Sequence, residues 1–208
     1  MMDTNLIIII FTAVISVYVI YNPAYKSRLL HYPYNIKMHG EYYRLISNGF
    51  IHADYIHLFF NMFTLYFFGG MVEELFTAKF GMWGDTIFVL FYLTAIIFSC
   101  LPSQRKHADN PAYAALGASG AVSAVLLIAI IMRPTMTLLI YGILPVPAWI
   151  LGIGYIWYSN RATKQQQRSN IGHDAHLYGA LYGCLIMLLM YPASYPRMIQ
   201  EIIEWLPI

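Results

Sequence analysis

The chain has 208 residues, of which 59% are hydrophobic, 16% aromatic and only 11% charged, with a formal net charge of +2. So apolar a composition excludes an ordinary soluble domain, and with no block of like charges it gives no nucleic-acid surface. At about 20 residues per crossing there is room for roughly five to seven membrane spans, and one compact helical bundle is the natural architecture.

Residues 6–20 are apolar, with no basic region before them and no small-x-small cleavage site after them, which predicts a retained first span and not a removable signal peptide. Asn22-Pro23 ends it. The connection that follows is rich in Tyr and carries Lys26, Arg28, Lys37 and Arg44. Connections beyond about 12 to 15 residues carry short elements of their own or a function, and the aromatic content places this one at the membrane interface.

A second span is predicted over residues 56–72. His57 and Asn61 are four apart, so a helix stacks them on one face, one turn above the other. Polar groups inside a span are costly and face the bundle interior; a satisfied core histidine and a functional one both fit. Gly81 to Gly84 makes a turn before a third, wholly apolar span over residues 86–101, stopped by Pro102, in which Thr94 and Ser99 serve helix packing.

The fourth span is predicted from about Ala114 to Met132 and contains Gly117-Ala118-Ser119-Gly120 in its first turns. Gly117 with Ala121, and Gly120 with Ala124, are small-xxx-small pairs that let another helix approach. A fifth span over residues 137–158 should be kinked or split by Pro145 and Pro147, and a polar loop over residues 159–170 carries Arg161, Lys164 and Arg168. The sixth span, residues 175–191, opens with His176, Gly179 and Gly183 on one stripe. After Pro192, apolar residues at helical spacing oppose Arg197, Glu201 and Glu204, as in a short interfacial helix. The fold class read this way is all-α: a polytopic membrane domain of six transmembrane helices over residues 1–192, with an interfacial tail over 193–208.

Ser119 and His176 each open a span, and in a six-span chain of alternating direction both openings lie on the same side of the membrane. A serine needs a base within hydrogen-bond reach to act as a nucleophile, and neutral imidazole is the commonest one. The second span runs the same way, which brings His57 and Asn61 to a similar depth as donors to a developing oxyanion. Asp174 is two residues from His176 and would point elsewhere on a regular helix, so the expected unit is a Ser119-His176 dyad. The competing reading of Ser119 alone is a small residue chosen for packing. His52, His57, His173, His176 and Asp54 could converge on a metal, but there is no HExxH and His52 and His57 face different sides of a helix, so no metal and no cofactor is expected. Cys100 and Cys184 lack CxxC spacing and are expected as small core hydrophobes.

Four motifs occur in order: His-x4-His-x3-Asn at 52, 57 and 61, Gly-Gly-x-Val-Glu at 69 to 73, Gly-Ala-Ser-Gly at 117 to 120, and Ala-His-x2-Gly-x3-Gly at 175 to 183. Together they resemble the rhomboid intramembrane serine proteases. The stretch 41–46, with Tyr43 before Arg44, is similar to the family's Trp-Arg element in the first loop, a structural insertion beside the bundle. The resemblance implies Ser119 as nucleophile, His176 as base and then acid, and His57, Asn61 and the Ser119 amide as the oxyanion site. It leaves His52, Arg44, Glu73, Gly117, Gly179 and Gly183 in structural or supporting roles. Ser123 departs from members that place an aromatic ring there against the catalytic imidazole; Tyr178 or another aromatic is the substitute. The substrates implied are transmembrane segments of other membrane proteins in the lipid bilayer, cleaved by hydrolysis. The same fold also serves inactive members that bind membrane clients, which lack the serine or the histidine. A transporter would show a repeat or a polar lining, and neither is present.

The resemblance implies a bacterial inner (plasma) membrane with the site facing outward. Positive charge argues the reverse: the loops on the site's side carry Lys26, Arg28, Lys37, Arg44, Arg105, Lys106, Arg161, Lys164 and Arg168, against Lys79, Arg133 and Arg197 on the other.

Overall fold

The computed structural model describes residues 3–140, 143–165 and 173–206. Helix α1, Thr4–Tyr21, starts at Asp3, whose carboxylate accepts from the Asn5 and Leu6 amides, and stops where Asn22 precedes Pro23. A second carboxylate, from elsewhere in the chain, caps the same end: Glu73 accepts from the Thr4 amide at 2.8 Å and shares the Asn5 amide at 3.0 Å. Asn5 Nδ2 in turn donates to the Leu65 carbonyl, and Gly69 leaves the space that this side chain fills.

The long connection folds into three short helices, α2 (Pro23–Leu29), α3 (Pro33–His39) and α4 (Arg44–Ser47), each of the first two opened by proline at its first turn. Arg44 is buried and ties them together, donating to the Ser27 and Leu30 carbonyls and to Glu41.

Helix α5, Tyr55–Phe80, begins at Asp54, whose carboxylate caps the His57 amide, and runs two turns past the expected end at Val72. Gly81, at φ +57°, turns the chain back into α6, Gly84–Lys106. Phe76 of α5 meets Phe88 and Phe91 of α6 at centroid distances of 5.9 and 5.2 Å, which closes the pair as a hairpin. Pro102 does not stop α6. It removes one ladder hydrogen bond, and the helix continues for another turn.

Helix α7 is Ser119–Met132, so the expected start at Ala114 is corrected: residues before Gly117 are extended, and Ala115 pairs with His31 as an isolated bridge. Eleven of its 14 residues are buried, and α5, α6 and a further helix, α9 (His173–Met190), pack around it. The closest approach is to α9, where a Cβ on Gly179 would lie 2.0 Å from the Gly120 carbonyl and one on Gly183 2.4 Å from that of Ala124.

The helical class holds for most of the chain, but the predicted start of the fifth span is corrected. Before residue 148 the chain pairs as strands, β1 (Thr137–Ile140) antiparallel to β2 (Leu144–Pro147), with Thr137 opposite Pro147 and Leu139 opposite Pro145. Proline donates nothing to a ladder and suits a two-stranded edge at alternate positions. Helix α8, Ala148–Gln165, follows and absorbs the first part of the polar loop expected from residue 159; Arg168 lies outside the described residues. After α9 the chain bends by 107° into α10, Ser194–Trp205, an amphipathic helix with Arg197 bonded to Glu201 along its polar face.

Among the described residues, two stretches qualify as membrane spans by length and apolarity, α1 and the run from α5 through α6, with α9 and α10 as a third if the bent pair is one span. The protein is a mostly helical membrane protein. Six crossings go further than these helices carry on their own.

Candidate active site

The loop that delivers Ser119 is fastened from two sides. His31 and Ala115 exchange backbone hydrogen bonds at 2.9 Å each way, and the Gly117 amide donates to the Asn48 carbonyl at 2.9 Å. Gly117 has φ +121°, where side chains are strained, and a Cβ there would lie 2.8 Å from the His57 ring. Only glycine lets the chain pass this ring and turn into α7. Ser119 then stands at the first position of the helix, where backbone N–H groups lack intrahelical acceptors and the dipole favours negative charge.

Ser119, His57 and His176 line one cavity of about 480 Å³, together with Asp54, Ala115 and Leu116. Three helices, α7, α5 and α9, thus bring these side chains to a common opening. A narrower recess behind Ser119 is lined by His31, Asn48, Ser99 and Tyr113.

Asn61 is not among the cavity's lining residues. It is buried, and its Nδ2 donates to the His57 carbonyl at 2.9 Å within its own helix. His52 is fully buried beneath the site, its ring edge against that of His57 at 4.9 Å. The Ser16 hydroxyl donates to the Phe50 carbonyl, so at 2.8 Å His52 Nδ1 is the donor in its contact with Ser16 Oγ. Burial, aided by the neighbouring His57, pushes the His52 ring down to about 3, and burial likewise takes His31 to about 4. Both rings are therefore neutral. Arg44 holds the Glu41 carboxyl below its usual range through their hydrogen bond. Glu73, Gly179 and Gly183 act at the helix contacts described above, and Asp174 is buried with an Oδ1 that has no hydrogen-bond partner among the described residues.

The sequence pattern missed Tyr155. This α8 residue stacks on the His176 ring at 6.2 Å between centroids and 26° between planes. Its hydroxyl meets that of Ser123, which also contacts the Ser119 carbonyl at 2.6 Å. Tyr178, the substitute named from the sequence, lies instead in a shallow groove with Leu101, Pro102 and Arg105. Three aromatics crowd this part of α8, and nothing in their spacing marks Tyr155.

A family model described as the Rhomboid domain matches residues 39–193. The chain belongs to the rhomboid family. Among its relatives, "RHOMBOID-like protein 12, mitochondrial" of Arabidopsis thaliana is 34% identical over 68% of this chain and 44% of its own length. "Rhomboid-like protein 11, chloroplastic" of the same plant is 27% identical over 77% of this chain and 57% of its own. "Rhomboid protease GlpG" of Haemophilus influenzae is 31% identical over 47% of this chain and 45% of its own. The chain spans about half the length of these relatives. Two of the names belong to organelles, so the relatives do not favour the bacterial inner membrane expected from the sequence.

Proposed function

We propose that this rhomboid is an intramembrane serine endopeptidase that cleaves transmembrane segments of other membrane proteins. The observation that carries the reading is the single cavity lined by Ser119, His57 and His176, three residues from three helices. Residues 1–192 form a six-span body, with α7, α8 and α9 crossing inside it, and 193–208 an interfacial tail.

In this reading His176 takes the Ser119 proton as the hydroxyl oxygen attacks the scissile carbonyl, then returns it to the leaving amine. Water repeats these two steps on the acyl-enzyme and releases Ser119. The oxyanion forms at the start of α7, where the Ser119 amide and His57 donate; Asn61 joins them by swinging its amide off the His57 carbonyl. No cofactor or metal enters. Backbone in an intact helix is shielded by its own hydrogen bonds, so favoured substrates carry Gly, Pro or polar residues that weaken the helix, with a small residue at the cut.

A fluorophosphonate probe on the detergent-solubilised protein tests the mechanism. Labelling and cleavage of a model single-span substrate should vanish in Ser119→Ala and fall steeply in His176→Ala. Well-folded wild-type protein that neither labels nor cleaves would favour a client-binding member without proteolysis. We place the site on the outer side, against the count of basic residues in the flanking loops. Cysteines introduced one at a time over residues 161–168 decide this, since modification from the cytoplasmic face alone reverses it.

A further inference from the structure

We propose that Tyr155 of α8 is the positioning residue for His176, and that the hydroxyl of Ser123 fixes it in place. The inference rests on the reading of His176 as the catalytic base. Two independent contacts carry it. The Tyr155 ring lies roughly parallel to the His176 ring at 6.2 Å between centroids and 26°, within the range in which offset aromatic pairs attract. The Tyr155 hydroxyl bonds to Ser123, one turn along α7 from Ser119, and Ser123 also contacts the Ser119 carbonyl.

The arrangement joins three helices, α7, α8 and α9. A tyrosine on α8 holds a histidine on α9 and is itself held by the helix that carries the nucleophile. Ser123 is too small to reach the His176 ring, and that smallness leaves the volume that the Tyr155 ring enters. The face of the ring limits imidazole rotation and attracts the cation that forms when His176 accepts a proton. Ser123 thus supplies the anchor and Tyr155 the surface against which the imidazole rests.

The test compares Tyr155→Leu, Tyr155→Phe and Ser123→Ala with Trp157→Leu, whose exposed ring sits on the same helix away from the cavity. Tyr155→Leu should lower kcat on a model single-span substrate by on the order of tenfold or more, with KM little changed. Tyr155→Phe should recover most of that loss, and combining Tyr155→Phe with Ser123→Ala should cost no more than either alone. A second readout is independent of catalysis. In histidine-labelled protein the ring protons of His176, assigned by their loss in His176→Gln, should shift in Tyr155→Leu and stay in place in Trp157→Leu. Should the wild type prove inert to substrate and probe, the catalytic reading fails while the resonance shift still decides whether Tyr155 positions the ring. A folded Tyr155→Leu protein with wild-type kcat, or with unmoved His176 resonances, overturns the proposal.

Discussion

The Asn48 carbonyl accepts the Gly117 amide at 2.9 Å, which fastens the loop before Ser119 to the insertion that follows the first helix. Asn48 is itself held by its side-chain amide, which donates to the Arg44 carbonyl at 2.7 Å. The insertion thus acts as a bracket for the nucleophile loop, and its integrity should be readable in the chemistry of Ser119.

Gly117→Ala tests the other half of this contact. The new methyl meets the His57 ring and the backbone resists φ +121°, so the loop must shift. We expect a loss of about 1–3 kcal/mol in stability and of on the order of a hundredfold in probe labelling at Ser119. Thermal unfolding in detergent and labelling rates measure the two separately.

Arg44→Lys keeps the charge but not the planar guanidinium, whose Nη1 donates to the Ser27 and Leu30 carbonyls while Nε donates to Glu41. Leaving buried acceptors unpaired costs about 1–3 kcal/mol, and Arg44→Ala should cost more. Both should slow labelling of Ser119 although Arg44 is remote from the cavity, because Asn48 follows it by one turn. Unchanged labelling in a destabilised variant would separate the bracket from the site.

Gly179→Ala places a methyl against the Gly120 carbonyl of α7, where backbone cannot yield, and should cost about 1–3 kcal/mol or prevent folding. Gly154→Ala, with no heavy atom within 4 Å of the new Cβ, is the control. In a helix it should be neutral or stabilise by about 0.5–1 kcal/mol. The melting temperature should fall in Gly179→Ala and hold or rise in Gly154→Ala.

Stability should fall as acid is added. His31 and His52 sit at about 4 and about 3 in the fold, against an ordinary value of 6.5. Between those values the unfolded chain binds more protons, so it gains on the fold as pH drops. The contribution is complete above about pH 6.5 and is lost progressively toward about pH 3, by at most about 1.4 kcal/mol per pH unit for each ring. Unfolding midpoints across this window should decline, and His52→Gln should flatten the slope.

What the sequence disclosed was whatever depended on local spacing. The stripe of His176, Gly179 and Gly183 on α9, the turn at Gly81 and the amphipathic α10 all follow from periodicity or from one residue's backbone freedom. Contacts between distant segments were hidden. Tyr155 meets His176 only because α8 packs beside α9, and no spacing within α8 encodes that neighbour. The strand pair β1 and β2 was misread for a different reason: a short apolar run satisfies a helix or a strand equally, and two prolines can mean a kink or an edge. Ala114 to Leu116 misled in the same way, since helix formers there serve an extended segment pinned to His31.

Helix α7 has 14 residues, a length of about 21 Å, whereas a bilayer's hydrocarbon is about 30 Å thick. Eleven of those residues are buried among other helices, so the shortfall falls inside the protein and not against lipid. Helices of 26 and 23 residues pack beside it. The cavity that opens at Ser119 is the space a short rod leaves among long ones.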